Sequence, residues 1–220
     1  MSAPKFSKNY DVIIVGAGPA GIFAALELSQ QPGLRVLLLE KGQDIETRSR
    51  LLFAKAKRDP ATLLTGWGGA GAFSDGKLTM SPEVGGQLAS VLSQEAVTQL
   101  LDEVDKTYLT FGAPEEVYGV NNEAMEDLAC RATLADLHLI PARIRHMGTD
   151  RCPAVLTAMR QALEGNIAIL TEVEAQAILA DKGNVIGLEP RPGETIAGQF
   201  IQLAPGRVGG PWPAEQSKCL

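Results

Sequence analysis

Residues 11–21 read "DVIIVGAGPAG". Val12 to Val15 form a short aliphatic run with no polar alternation, the mark of a strand buried on both faces. The run passes straight into Gly16, Gly18 and Gly21, with Pro19 and Ala20 between them. Residues 19–30, "PAGIFAALELSQ", carry a helix. Pro19 suits its first turn, where a missing N–H costs nothing. Ala24 and Ala25 are small enough for close helix–sheet contact, and "QPG" at 31–33 stops the helix. "LRVLLLE", 34–40, is a second buried strand. The order strand, glycine turn, helix, strand is a β-α-β unit with a right-handed crossover.

Gly16, Gly18 and Gly21 spell GxGxxG. Gly16 permits the tight turn out of the strand, Gly18 leaves room for a pyrophosphate, and Gly21 lets the helix lie close to the sheet. The helix N-terminus presents free N–H groups and partial positive charge to phosphates. Glu40 ends the second strand 19 residues after Gly21. An acid there accepts hydrogen bonds from a ribose 2′-OH and repels a 2′-phosphate. The turn therefore holds a dinucleotide, and NADP is disfavoured. This much leaves NAD and FAD both open.

Elsewhere, residues 45–57, 86–110 and 123–136 have helical spacing, and "TGWGGAGAFSDGKLTM" (65–80) is too glycine-rich for a regular element. "LHLIPARI" (137–144) suits a strand with Pro141 at an edge or bulge. Residues 149–165 suit a helix with Thr149 or Asp150 as N-cap, Pro153 in its first turn and Gly165 after its end. Four strands follow, at 167–170, 174–180, 184–190 and 199–206, with turn signals "DKGN" and "RPGE".

A length of 220 residues, 45% of them hydrophobic, allows a sizeable core. A net charge of -6 without a basic run excludes nucleic acid as the main partner. The N-terminus lacks a signal-peptide layout and its apolar run is too short for a membrane span, so a cytoplasmic protein is expected. Cys130, Cys152 and Cys219 are scattered and odd in number, and only His138 and His146 are present. Neither a disulfide framework nor a metal site is expected.

The stretches "DVIIVGAGPAGIFAALEL" and "LLLEKG", with Glu40-Lys41-Gly42, resemble the two-dinucleotide-binding-fold flavoproteins. "GGAGAFSDGKLT" (68–79), "RHMGTD" (145–150) and "LAPGR" (203–207) resemble more closely a little-characterised family of bacterial FAD-dependent dehydrogenases. The resemblance implies FAD as cofactor and a glutathione-reductase-like α/β fold. That fold has a Rossmann-like parallel sheet, a β meander and a helical insertion. The FAD domain is expected at 1–84 and 137–220, with the insertion at 85–136. Val173 would lie near the adenine with its backbone in contact, and Gly206 would end the strand that approaches the flavin. Arg48 matches a phosphate-contacting position. Members of that family are longer, so this chain is expected to be an N-terminal part, prone to self-association through uncovered apolar faces.

Gly68, Gly69 and Gly71 permit close approach to the cofactor. Lys77 is expected near the flavin N1/C2 edge, where a cation favours the anionic reduced flavin. Ser74 and Asp75 are candidates for hydrogen bonds to cofactor or substrate, and His146 for proton transfer. The function expected is an FAD-dependent oxidoreductase of a small-molecule substrate, with NAD(P)H a candidate electron donor. A NAD-binding dehydrogenase would instead require a further parallel half after Glu40. A non-catalytic flavin-binding fragment or partner subunit is the remaining alternative.

Overall fold

The computed structural model of the chain describes residues 8–53 and 63–218. Two compact units divide it, residues 1–72 with 156–220, and residues 73–155. The first unit is built on a six-stranded sheet in the order β5-β2-β1-β8-β7-β6. Strand β1 (Lys8–Val15) pairs in parallel with β2 (Val36–Leu39), and Val12 to Val15 face Val36 to Leu39 one for one. On its other side β1 pairs in parallel with β8 (Ile196–Leu203), and β2 pairs in parallel with β5 (Ala168–Leu170). All four residues of β2 are buried, as an unbroken aliphatic run in the middle of a parallel sheet must be.

Helix α1 (Pro19–Ser29) connects β1 to β2. Ile14, on one face of β1, lies beneath Gly21 of α1. Ile13, Val15, Leu37 and Leu39 point to the opposite face, where they form a core with Leu188 and Ile196. Leu188 belongs to the meander: β6 (Glu174–Asp181), β7 (Asn184–Arg191) and β8. Lys182 and Gly183 join β6 to β7 with φ of 51° and 78°. Positive φ at both central residues makes the turn whose twist matches the hairpin. No further β-α-β half follows Glu40 among the described residues: β5 and β8 complete the parallel part, and β6 and β7 join the sheet as antiparallel strands. That is the outcome the NAD-dehydrogenase alternative does not allow.

Helix α2 (Ile45–Phe53) follows β2; residues 54–57 of its expected span lie outside the described residues, as does Cys219. The glycine-rich stretch is less irregular than expected. It contains one 3₁₀ turn, Gly69–Gly71, and ends in a strand, β3 (Lys77–Met80).

In the second unit β3 pairs antiparallel with β4 (Arg143–His146), and helices α3 (Gln94–Thr110) and α4 (Asn122–Leu134) lie between them in sequence. Ser93 and Asn121 cap the two helices through bonds from Ala96 N–H (3.2 Å) and Ala124 N–H (3.1 Å). The unit is wider than the 85–136 insertion expected. The strand expected at 137–144 forms instead at 143–146, and it pairs with β3 rather than with the main sheet. Pro141 has no N–H to give a ladder, so pairing begins two residues later. Likewise the helix expected from 86 starts only at Gln94, after a 3₁₀ turn at Leu88–Ser90.

Helix α5 (Gly148–Leu163) starts before its expected caps, Thr149 and Asp150. The Gly148 N–H is held by the Asp75 carbonyl at 3.1 Å, which draws the helix back one residue. Pro153 therefore lies past the first turn, and Gly165, with φ of 79°, follows the helix end. Cys152 is buried, and burial pushes its thiol pKa up.

The second unit is held by a buried ion pair. Arg145 on β4 donates to both oxygens of Asp105 on α3, at 2.6 and 2.8 Å, and to the Pro114 carbonyl. The side chains are 3% and 10% exposed. Asp105→Ala is expected to leave the guanidinium buried and uncompensated, a loss of about 3 kcal/mol. Thermal melting checks it: a midpoint unchanged from wild type would show that the pair contributes nothing.

Candidate functional site

A cleft of about 630 Å³ opens in the first unit, at the C-terminal ends of β1, β2 and β8. Parallel sheets bind ligands there because loop backbone and helix N-termini converge on it. Its lining includes Gly16, Gly18, Pro19, Glu40, Lys41, Gly69, Gly71, Val173 and Gly206. These residues lie far apart in sequence, and all were expected at the cofactor.

The three glycines of the opening stretch do different work. Gly16 has φ of 105°, and a Cβ there would overlap the Ala204 carbonyl. It lets the ends of β1 and β8 meet. A Cβ on Gly21 would overlap the Gly16 carbonyl, so Gly21 sets how closely α1 approaches the strand end. Gly18 caps α1 at φ of -74°, an ordinary value, and a Cβ there meets nothing within 4 Å. The space it leaves open is in the cleft. Gly69, on the opposite loop, comes within 3.3 Å of the Gly18 Cα when given a Cβ. The two glycines pack closely at the N-terminus of α1, and both line the cleft.

Glu40 is 6% exposed and accepts three backbone N–H groups. One oxygen takes Ala17 at 2.8 Å, and the other takes Gly42 at 2.8 Å and Gly66 at 2.9 Å. Its carboxylate thus ties together the glycine turn, its own strand end and the 63–71 loop, while lining the cleft. The Val173 N–H bonds the Glu40 carbonyl at 3.0 Å.

Arg48 does not reach the cleft. It is fully buried and donates to the carbonyls of Leu63 (3.2 Å), Trp67 and Gly69 (3.0 Å). Burial pushes its pKa down to about 10, against the pull of Glu40. The phosphate contact expected of it is replaced by a supporting role, because a loop without regular structure needs its carbonyls satisfied from within. Trp67, fully buried, adds an Nε1–H bond to the Leu156 carbonyl at 3.0 Å and lies under the Arg160 guanidinium at 5.5 Å. Gly68 is buried behind the loop, with φ of 83°, and its N–H bonds the Ala17 carbonyl at 2.8 Å. Ala20 sits exposed on the first turn of α1, off the cleft lining.

Asp75, Lys77 and His146 come together in the second unit. Lys77 and His146 are cross-strand partners on β3 and β4, and Lys77 Nζ lies 2.7 Å from Asp75 Oδ2. Lys77, with His146 nearby, holds the Asp75 carboxyl below the usual range. All three are exposed. Ser74 accepts the Gly76 N–H at 3.2 Å and shapes the turn before β3.

Sequence reasoning missed much of the wall, including Thr65, Gly66, Glu174, Arg207, Gly209 and Trp212. The glycines of "GRVGGPW" were a signal for a close-approach loop, but only folding shows that the loop lies on the cleft.

Residues 11–202 match the FAD binding domain family, and the chain belongs to that family. An uncharacterized protein of Clostridium beijerinckii is 37% identical over 109 residues, 48% of this chain and 18% of that protein. Among solved structures, glycine oxidase from Geobacillus kaustophilus matches with a TM-score of 0.54 at 17% identity, over 96% of this chain and 58% of its own. 3-Ketosteroid-delta4-(5alpha)-dehydrogenase from Rhodococcus jostii matches with a TM-score of 0.54 at 16% identity, over 90% and 46%. L-amino acid deaminase from Proteus vulgaris matches with a TM-score of 0.51 at 13% identity, over 92% and 49%. At these identities the likeness shows the fold. The chain spans about half the length of these solved structures. Among the described residues no helix is long and apolar enough to cross a membrane.

Proposed function

We propose that the chain is the cofactor-binding part of an FAD-dependent oxidoreductase acting on a small molecule. The observation that carries it is the open position at Gly18, inside a cleft that combines a helix N-terminus with a buried carboxylate. In this reading the first-turn amides of α1 and the open side of Gly18 hold the pyrophosphate, and Glu40 accepts the adenosine ribose hydroxyls. Gly206 and the 63–71 loop flank the flavin-bearing half. Bound flavin supplies two-electron chemistry, which the protein positions and tunes. Asp75, Lys77 and His146 are assigned to substrate and proton handling.

Absorbance of the purified chain incubated with FAD and desalted tests the reading. The expected result is a retained flavin band near ~450 nm, bleached by NADH or NADPH. The names of the matched structures, an oxidase and two enzymes of amino-acid or steroid chemistry, support an oxidoreductase class without selecting a substrate. Flavin that is retained but bleached only by dithionite would favour a non-catalytic flavin-binding part. No retained flavin at all would remove the cofactor assignment.

Lys77→Met tests the assignment of Lys77. It is expected to leave FAD affinity within about twofold and to lower the midpoint potential of bound flavin, since a cation stabilises the anionic reduced form. An unchanged potential would take Lys77 out of the site.

A further inference from the structure

Trp212 stands where the hydrophobic core meets the cleft. It lies on α6 (Pro211–Gln216), just after the cleft-lining turn at Pro205–Gly209. Part of it packs against the core cluster beside Val173 and Ala175, and it also lines the cleft. Its Nε1–H donates to the Gln176 carbonyl at 2.9 Å. One helical turn later, Gln216 Oε1 accepts the Ile178 N–H at 2.9 Å. These two bonds attach α6 to alternate residues of the edge strand β6 and fix the orientation of the indole.

We propose that Trp212 forms the aromatic wall of the adenine subsite. The inference rests on the cofactor reading above and adds a residue to it. The order of groups along the cleft carries it. Pyrophosphate belongs at Gly18 and the N-terminus of α1, and ribose at Glu40. Adenine is bonded directly to that ribose, so it lies within about a ring's length of Glu40. The backbone that adjoins Glu40 is Val173, through its 3.0 Å bond to the Glu40 carbonyl. Three residues further along the same segment, Gln176 holds the indole. The lining there is Lys41, Val173, Glu174, Ala175 and Trp212, in which Val173, Ala175 and the indole are apolar and Lys41 and Glu174 are charged. A neutral purine gains from a flat apolar face, and a tryptophan already held in place stacks without first being ordered. The ligand class is therefore adenine nucleotides, including those without a flavin.

The experiment is fluorescence titration of the full chain with ADP and with FMN. ADP has the adenine, ribose and pyrophosphate and no flavin; FMN has a flavin and no adenine. The protein has two tryptophans. Trp67 is fully buried, so contact quenching reports Trp212. Saturable quenching by ADP but not by FMN is expected, and it should vanish in Trp212→Phe. Loss of the ring in Trp212→Leu should raise the Kd for ADP about tenfold or more, as removal of a base-stacking aromatic does. Trp212→Phe and Gln216→Ala keep an aromatic ring at 212 and should stay within about threefold. ADP binding without a Trp212 signal, or with equal affinity in Trp212→Leu, overturns the proposal while leaving FAD binding intact. An FMN response at Trp212 equal to that of ADP overturns it in favour of a flavin wall. If wild type binds neither ADP nor FAD, the cofactor reading falls and this subsite with it. Should Trp212→Leu fail to fold, the ADP-against-FMN quench of wild type decides alone.

Discussion

Gly18→Ala is expected to fold, to melt within a few degrees of wild type and to bind FAD about 10- to 100-fold more weakly. The unliganded protein has little reason to resist the change. Gly18 has φ of -74°, and its added methyl meets no atom within 4 Å. An alanine N-cap costs about 0.5–1 kcal/mol relative to glycine, which shifts the melting midpoint by no more than a few degrees. In the cofactor reading the methyl occupies open cleft space beside the N-terminus of α1 that the pyrophosphate needs. A phosphate must then retreat from the α1 amides or force the loops apart, an overpacking cost of ~1–3 kcal/mol. Gly21→Ala should behave in the opposite way. Its Cβ would overlap the Gly16 carbonyl, so α1 must shift off the sheet. The better helix propensity of alanine, worth about 1 kcal/mol, does not offset backbone overlap. A net loss of about 3 kcal/mol would lower the melting midpoint by roughly 6–12 °C at this chain length. Melting curves and FAD titrations of the two variants check the pair. Equal FAD affinity in Gly18→Ala and wild type would displace the pyrophosphate from Gly18.

Glu40→Gln is expected to damage both the protein and its affinity for FAD. The carboxylate accepts the amides of Ala17, Gly42 and Gly66. A glutamine has one acceptor oxygen and an NH₂ group, so at least one buried amide then faces another donor. Leaving a buried donor unsatisfied costs about 1–3 kcal/mol. The substitution also removes the negative charge that opposes the effect of burial on Arg48, whose pKa already sits near about 10. Arg48 holds the same 63–71 loop from the other side, through three carbonyls. The loop is thus gripped by an acid at the Gly66 amide and a base at its carbonyls, and loosening one grip weakens the other. FAD should lose an order of magnitude or more in affinity, since a charge-assisted bond to ribose is worth ~1.5–3 kcal/mol. Melting without ligand separates the two effects from titration with it. A lower midpoint with unchanged FAD affinity would make Glu40 a structural residue alone, and no change in either would show that it does neither task.

The β-α-β unit was legible in residues 10–40 because its causes are local. An aliphatic run long enough for one strand, a proline at a helix start and glycines at a turn each act within a few residues of themselves. The same holds for the β6–β7 turn, where "DKGN" supplies the positive φ values that the hairpin needs. The site was partly legible for the same reason: Gly16, Gly18, Pro19 and Glu40 belong to that local unit, and they meet in the cleft.

What the tertiary structure decided depends on partners distant in sequence. Whether a buried guanidinium faces a ligand or a loop cannot be read from "IETRSR", because the carbonyls that claim Arg48 come 15 to 21 residues later. The strand near 140 shifted to Arg143–His146 because its partner, β3, lay inside a stretch whose glycines masked it. The place of Gly16 against Ala204 follows from the parallel pairing of β1 with β8, two strands at opposite ends of the chain. Trp212 joined the cleft only because the edge of β6 offers a free carbonyl and a free N–H to α6. Local conformational preference is written residue by residue. Which backbone groups are left unpaired at an edge or in a loop, and which side chain then satisfies them, exists only once the chain has folded.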